Sequence, residues 1–96
     1  MKTVKFHLDA EDEMVKAAAY YETQQTQLGR RFLASVQDAI NRVVLNPRLY
    51  PFIDLDVRQC LVKTFPLGVL FRELPDKIVI MAVMHLRRDP DYWKNR

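Results

Sequence analysis

The sequence predicts an α+β fold of order β-α-α-β-β-β, in which an antiparallel helical hairpin packs on one face of a small, mainly antiparallel sheet. Three features of the apolar pattern predict it: polarity alternates over residues 2–8, apolar residues then recur at helical spacing in two long segments, and alternation returns from Val57 onward. Two tightly connected helices of this length form an antiparallel hairpin. Such a hairpin buries its apolar side against the sheet.

The size and composition fit one small globular domain covering residues 1–96. Of the 96 residues, 49% are hydrophobic and 28% are charged, which is typical of folded rather than disordered chains. No apolar run approaches the roughly 20 residues that cross a bilayer, and the start of the chain is too short and polar for a signal peptide. The single cysteine, Cys60, cannot form an internal disulfide. We therefore expect a soluble cytoplasmic protein with no membrane contact.

The first strand and the first helix are adjacent. Val4, Phe6 and Leu8 share one side of a strand over residues 2–8. Asp9 is expected to cap the helix, and acidic residues follow in its first turn, where they suit the helix dipole. The helix should run to about Gln25. Its apolar stripe comprises Met14, Ala17, Ala18, Tyr21, Gln25 and Leu28.

A second helix is predicted after Gly29, which interrupts the first pattern. It should stop at Asn46–Pro47, because proline disfavours helical backbone in the residue before it. Residues 46–56, with Pro47 and Pro51, are predicted to form a loop. The stripe of the second helix comprises Leu28, Phe32, Val36, Ala39, Ile40, Val43 and Val44.

Three strands complete the prediction, over residues 57–65, 67–74 and 77–85. Pro66 and the pair Pro75–Asp76 separate them, so they form an antiparallel meander. The register between the first two of these strands stays open, because the connection at Phe65-Pro66 does not determine which residues pair.

A two-residue turn at Pro75–Asp76 predicts the register of the last hairpin and therefore its two faces. The predicted pairs are Leu74 with Lys77, Arg72 with Val79, Leu70 with Met81, and Gly68 with Val83. The face toward the helices then carries Leu67, Val69, Phe71, Ile78, Ile80, Ala82 and Met84. The opposite face carries Leu70, Arg72, Val79, Met81, Val83 and His85.

This opposite face is apolar, and two helices on the other side of the sheet cannot cover it. An apolar patch of more than a few hundred Å² rarely stays bare on a monomer. Either a partner chain docks there or the C-terminal residues fold back, with Tyr92 and Trp93 as a lid. We favour the lid for these two residues.

The residues from His85 to the C-terminus concentrate groups that could bind phosphate or a protein, and they predict a local basic patch. Phosphodiester cleavage needs a base, an acid and cations beside the developing charge. The residues of suitable type are Arg58, Lys63, Arg72, His85, Arg87, Arg88 and Tyr92. Exposed arginines are usually only solvated, and a histidine at a strand end usually only forms hydrogen bonds, so residue type alone does not establish an enzyme.

Other chemistry has little support in the sequence. Two histidines and one cysteine do not supply a metal site, and two glycines cannot build a phosphate-binding loop. Ser35 and Cys60 have no histidine nearby in sequence, which argues against a nucleophile. We therefore expect neither a metal nor another cofactor.

A series of short motifs carries a family resemblance. The motifs are Tyr20-Tyr21-Glu22, Leu28-Gly29-Arg30-Arg31-Phe32, Asn46-Pro47 with Tyr50-Pro51, Arg58, Phe65-Pro66, and His85-Leu86-Arg87-Arg88-Asp89-Pro90-Asp91-Tyr92-Trp93. Over nearly its whole length the chain resembles a RelE/ParE-superfamily toxin of the bacterial type II toxin–antitoxin modules, on the ParE-like branch. Two positions depart from the family pattern, since Leu67 and Phe71 stand where relatives often have tyrosine.

The resemblance implies a growth-arresting toxin of the kind found in plasmid-stabilising modules, neutralised by a cognate antitoxin and directed at DNA gyrase. The alternative it leaves open is a RelE-type endoribonuclease that cuts mRNA on the ribosome with Arg72, His85, Arg87 and Tyr92. A homodimer or a larger toxin–antitoxin assembly also remains open. The residues expected to bind the target or the antitoxin are Arg58, Lys63, Arg72, His85, Arg87, Arg88, Tyr92 and Trp93.

Overall fold

A computed structural model describes residues 2–96 as two helices followed by most of a five-stranded sheet. The strands stand in the order β1-β5-β4-β3-β2, with β1 parallel to β5 and the other pairs antiparallel. The predicted α+β class, with a helical hairpin before a mainly antiparallel sheet, is confirmed. The elements are β1 Thr3–Phe6, α1 Leu8–Gln24, α2 Leu28–Leu45, a 3-10 turn Pro47–Leu49, β2 Phe52–Asp54, β3 Val57–Leu61, β4 Leu67–Glu73 and β5 Lys77–His85.

The predicted cap of α1 was wrong by two residues. His7 is the N-cap, and its Nδ1 accepts a hydrogen bond of 3.1 Å from the backbone N–H of Asp9. Asp9 already lies in the first turn together with Glu11, where negative charge is favourable. A histidine side chain can accept this bond as an Asp would, which is why the usual cap residues gave the wrong position.

The junction of the two helices depends on Glu22 and Gly29. The Glu22 carboxylate accepts hydrogen bonds of 3.0 Å from the backbone N–H groups of Gln27 and Gly29, so α1 caps the start of α2. A Cβ at Gly29 would lie 2.5 Å from the carbonyl oxygen of Ala18, closer than any side chain permits. Gly29 therefore does not interrupt a helix as predicted. It lies in the first turn of α2, where the two backbones approach.

Residues 46–56 are not a simple loop, because they contain the 3-10 turn and β2. The strand has three residues and an irregular register against β3, with Phe52 opposite Arg58 and Asp54 opposite Val57. So short a strand shows no apolar alternation, which explains why the pattern missed it. The next strand is also shorter than predicted and ends at Leu61 rather than residue 65.

The predicted register of the β4–β5 hairpin holds only near its turn. Arg72 pairs with Val79 as predicted, but a bulge follows, so that Leu70 pairs with Ala82 and not with Met81. The bulge inserts one extra residue in β5, and every later side chain changes face. Gly68 consequently pairs with Met84 rather than Val83.

The bulge redistributes the predicted faces into two apolar cores. Val83 joins the core under the helices, and Ala82 and Met84 join the core on the opposite face. The second core also contains Trp93, whose side chain is 3% exposed, with Tyr92 packed against it. The lid prediction for these two residues is therefore confirmed. The helix-side core is centred on Phe32, Val36, Ala39, Val43, Val69, Phe71, Ile78 and Ile80.

Candidate functional site

The C-terminal tail, residues 86–96, is anchored to α1 by an ion pair that sequence reasoning did not identify. Arg96 Nη1 and Nη2 donate to the two Glu13 carboxylate oxygens at 2.9 and 3.0 Å. Both side chains are only 12% exposed. Bidentate geometry with little exposure makes this one of the stronger ion-pair arrangements in a protein.

The same two side chains take the place of a missing strand. Because β1 ends opposite Ile80, the later backbone groups of β5 have no β1 neighbour on that side. Glu13 accepts a hydrogen bond of 3.2 Å from the Val83 N–H, and Arg96 donates one of 3.0 Å to the Met81 carbonyl. With Asp9 expected as the cap, the sequence predicted Glu13 as one of the acidic residues of the first turn, and it carried no separate signal for this role. In the structure α1 begins at Leu8, and the acidic residues of its first turn are Asp9 and Glu11.

Glu13 and Arg96 are both ionised near neutral pH. Burial alone would raise the pKa of Glu13, but hydrogen bonds from Arg96 and the Val83 N–H hold that pKa below its usual value. Burial and the neighbouring Glu13 carboxylate raise the pKa of Tyr92, so its phenol stays neutral. The Tyr92 hydroxyl has no aligned hydrogen-bond partner within residues 2–96.

A groove of about 730 Å³ lies beside this anchor, between α1 and the end of β5. We call it the tail groove. The charged side chains along it include three acidic and three basic groups, so it has no strong net charge. The lining residues are Asp9, Asp12, Glu13, Lys16, Ala17, Tyr20, Tyr21, Pro66, Leu67, Val83, His85, Arg88 and Arg96.

Two of the predicted site residues meet at the tail groove. His85 is exposed, and its Nδ1 accepts a hydrogen bond of 3.1 Å from the backbone N–H of Arg87. The guanidinium of Arg88 lies 3.7 Å above the Tyr92 ring and 3.5 Å from Glu13. Arg87 is exposed beside them. The structure therefore places His85 and Arg88 in the same groove, with the face of the Tyr92 ring against Arg88.

Arg72 does not belong to this group. His85 pairs with Leu67, five residues before Arg72 on β4, which corresponds to about 16 Å along the strand. The bulge turns His85 toward the helices, whereas Arg72 lies on the opposite face with its Nε 2.9 Å from Asp56 Oδ2. The prediction that Arg72 and His85 share a face was wrong because of that bulge.

Arg58 and Lys63 also lie away from the tail groove. Arg58 donates a hydrogen bond of 2.7 Å to the Tyr50 carbonyl and lies 3.8 Å above the Phe52 ring. Lys63 is exposed, with its Nζ 3.9 Å from Asp38. The eight residues predicted to bind a target or an antitoxin are thus spread over at least three regions of the molecule.

A second groove, of about 520 Å³, lies between β1 and α2. We call it the edge groove. Its floor is apolar, and it runs beside the outer edge of β1, which pairs only with β5 in the described part of the chain. The lining residues are Lys2, Val4, Phe6, Gln37, Ile40, Asn41, Val44 and Leu45. Sequence reasoning did not identify this site, because its residues read as ordinary core positions.

Comparisons with known proteins agree with this fold. The model of the family described as ParE toxin of type II toxin-antitoxin system, parDE, matches residues 4–90. A solved structure described as the chromosomal ParDE TA system from P. aeruginosa superposes with a TM-score of 0.68 at 18% identity, covering 91% of this chain and 98% of that one. No curated protein matches. Neither of the two described helices is apolar enough to cross a membrane. Because the family model spans nearly the whole chain, the protein belongs to the ParE toxin family.

Proposed function

We propose that this protein is the toxin of a type II toxin–antitoxin module and acts in the cytoplasm by binding a macromolecular target, which we take to be DNA gyrase. The family match over residues 4–90 is the observation that carries this proposal. The two grooves are concave surfaces, one lined by α1 and one by α2, into which side chains of a partner can fit.

Action by binding, rather than by RNA cleavage, is supported by how the candidate catalytic residues are distributed. Arg72 is ion-paired on one face of the sheet, and His85 lies on the other. The phenol of Tyr92 has a raised pKa beside Glu13, which makes it a poor proton donor or acceptor near pH 7. Arg72, His85 and Tyr92 therefore do not combine into one cation, base and acid at a single position.

We propose that the antitoxin occupies the edge groove. An extended segment can pair with the free backbone groups of β1 and place apolar side chains on the groove floor. Leu45 borders this groove and is 73% exposed, so it is available to such a segment. Leu45→Ser should weaken antitoxin binding at least tenfold and leave toxicity intact, since it removes only apolar contact area.

The test of the proposal is regulated expression of the chain in a bacterium, first alone and then together with the protein encoded by the gene next to its own. We take that neighbouring protein as the candidate antitoxin. We expect growth arrest with signs of DNA damage, full-length transcripts, and relief by the neighbouring protein. Harmless expression of the folded chain would contradict the proposal.

The endoribonuclease hypothesis keeps one favourable observation, the exposed His85 beside Arg88 in the tail groove. It predicts shortened transcripts during arrest, and loss of both arrest and shortening in His85→Ala. Arrest with intact transcripts would reject it, whereas shortened transcripts would replace the gyrase proposal.

A further inference from the structure

Large apolar side chains are exposed in a cluster around β2. Within residues 49–55, Leu55 is 90% exposed and Phe52 is 56% exposed. Leu49 and Ile53 are also exposed, and the four together form what we call the apolar tip. Phe52 and Ile53 lie on β2, the outer strand at the edge opposite β1, whereas Leu49 ends the 3-10 turn before this strand and Leu55 lies in the loop after it. Large apolar side chains exposed close together, rather than singly, are typical of interaction surfaces.

The backbone conformation of Leu55 also indicates an interaction surface. Asp54 pairs with Val57, so Leu55 and Asp56 form a two-residue hairpin loop. Leu55 has a φ of 24°, a positive value at the first loop position, where such hairpins favour glycine. Leucine there adds backbone strain and gains almost no burial. Strain of this kind without a return in folding stability is a recognised feature of functional positions.

Ion pairs brace both sides of the loop. Asp54 lies 3.7 Å from Lys94 of the tail, and Asp56 lies 2.9 Å from Arg72 of β4. These pairs hold the hairpin against its surroundings, so a partner would meet a preorganised surface. They also leave the neighbouring cations engaged within the chain.

Arg58, on the neighbouring strand β3, also holds the tip in place. It donates a hydrogen bond of 2.7 Å to the Tyr50 carbonyl and covers the Phe52 ring at 3.8 Å. Arg48, beside Leu49, lies 3.6 Å from Glu73. Arg48, Arg72 and Lys94 each pair with a carboxylate of the chain, and Arg58 is held by a carbonyl oxygen and the Phe52 ring, which does not favour a phosphate backbone as the ligand.

The size and shape of the tip identify its occupant. The tip offers four large exposed side chains, whereas a stable dimer uses roughly 20–30 residues and about 800 Å² on each partner. A second copy meeting the same tip would therefore be held weakly. A projecting apolar hairpin instead fits an apolar pocket on a different protein, as a buried anchor does in many interfaces.

We infer that the apolar tip is the part of this toxin that inserts into an apolar pocket on its protein target, with Leu55 as the anchor. The inference rests on the proposed function and adds the contact surface to it. The antitoxin would occupy the edge groove, at the opposite edge of the sheet. Target binding and antitoxin binding are then separable by mutation.

The test uses Leu55→Asn, with Leu55→Gly as a second variant, because both residues accept positive φ. Purified wild type and variants are compared for affinity to purified DNA gyrase, for growth arrest, and for melting temperature. We expect at least a tenfold loss of affinity and loss of arrest, with a melting temperature at or above that of the wild type.

Leu8→Asn is the matched control, because Leu8 is 81% exposed but lies at the start of α1, away from the tip. It should change neither affinity nor arrest. Affinity for the candidate antitoxin should stay unchanged in both Leu55 variants, because we propose that the antitoxin binds in the edge groove.

The outcomes separate the two proposals. If the wild type arrests growth and the Leu55 variants arrest it equally, the tip inference is overturned and the toxin proposal stands. If the folded wild type neither arrests growth nor binds gyrase, the toxin proposal fails first. Loss of antitoxin affinity, of nucleic-acid binding or of self-association in place of gyrase affinity would also overturn the inference.

Discussion

At the scale of single residues, Glu13 has the most connected position in the molecule. Its carboxylate joins the end of the tail to α1 through Arg96 and satisfies the Val83 N–H of β5. Removing one member of such a pair leaves the other buried without a partner, which costs more than losing an exposed ion pair.

Glu13→Gln should therefore destabilise the protein by about 2 kcal/mol, measured by urea denaturation at pH 7. The exposed pair of Lys16 with Asp12 supplies the control, and Lys16→Ala should have no measurable effect. Equal stability of Glu13→Gln and wild type would contradict the anchor role.

The pH dependence follows from the lowered pKa of Glu13. A carboxylate whose pKa is lower in the folded state than in the unfolded state stabilises the fold at pH values above the unfolded-state pKa of about 4.5. That stabilisation is lost as pH falls through the lower folded-state pKa. Unfolding curves below pH 4.5 should therefore be less pH-dependent for Glu13→Gln than for wild type. Parallel pH profiles would contradict this assignment.

Gly29 sets the distance between the helices. Gly29→Ala would place a Cβ 2.5 Å from the Ala18 carbonyl oxygen, and the hairpin would have to separate. We expect a loss of about 1–3 kcal/mol in the free energy of unfolding, despite the better helix propensity of alanine. Arg30→Ala, at the next, exposed position, should be near neutral. A stabilised Gly29→Ala protein would rule out the close approach.

At the scale of elements, long periodic segments were predictable and local exceptions were not. Both helices, and the β4–β5 hairpin as far as Arg72, were predictable from the spacing of apolar residues, because many residues in each segment fit the same period. The bulge beside Met81 depends on packing across the sheet, and no glycine marks it in sequence. It placed His85 and Arg72 on opposite faces of the sheet, so the predicted grouping of these two residues was wrong because the predicted register was wrong.

The tail is an element whose role the sequence did indicate. Tyr92 and Trp93 follow β5 closely and were predicted to cover the second face as a lid, and Trp93 is 3% exposed there. Its ring replaces the layer that a second pair of helices would otherwise supply.

Trp93→Ala should therefore cost about 3–5 kcal/mol, because it leaves a large cavity in the second core. Tyr20→Ala, at an exposed aromatic position on α1, should cost much less. Thermal unfolding of the two variants distinguishes a structural lid from a tail that only awaits a partner. A small loss for Trp93→Ala would contradict the lid.

At the scale of the whole molecule, the sheet described over residues 2–96 has two outer strands, β1 and β2, with different surroundings. The β1 edge borders an apolar groove suited to an extended segment, and the β2 edge projects the apolar tip. A toxin needs one surface for its target and one for its antitoxin, and these two edges can supply them. The family was predictable from ordered motifs, whereas the two edges became visible only once β2 and the strand order were known.

The most direct measurement is DNA supercoiling by purified gyrase in the presence of the purified chain. We predict dose-dependent inhibition of supercoiling that reaches saturation and is reversed by the candidate antitoxin. The inhibition should be lost in Leu55→Asn and retained in Leu45→Ser. Unchanged supercoiling at a saturating dose of folded wild type would contradict the proposal that this protein arrests growth by binding gyrase.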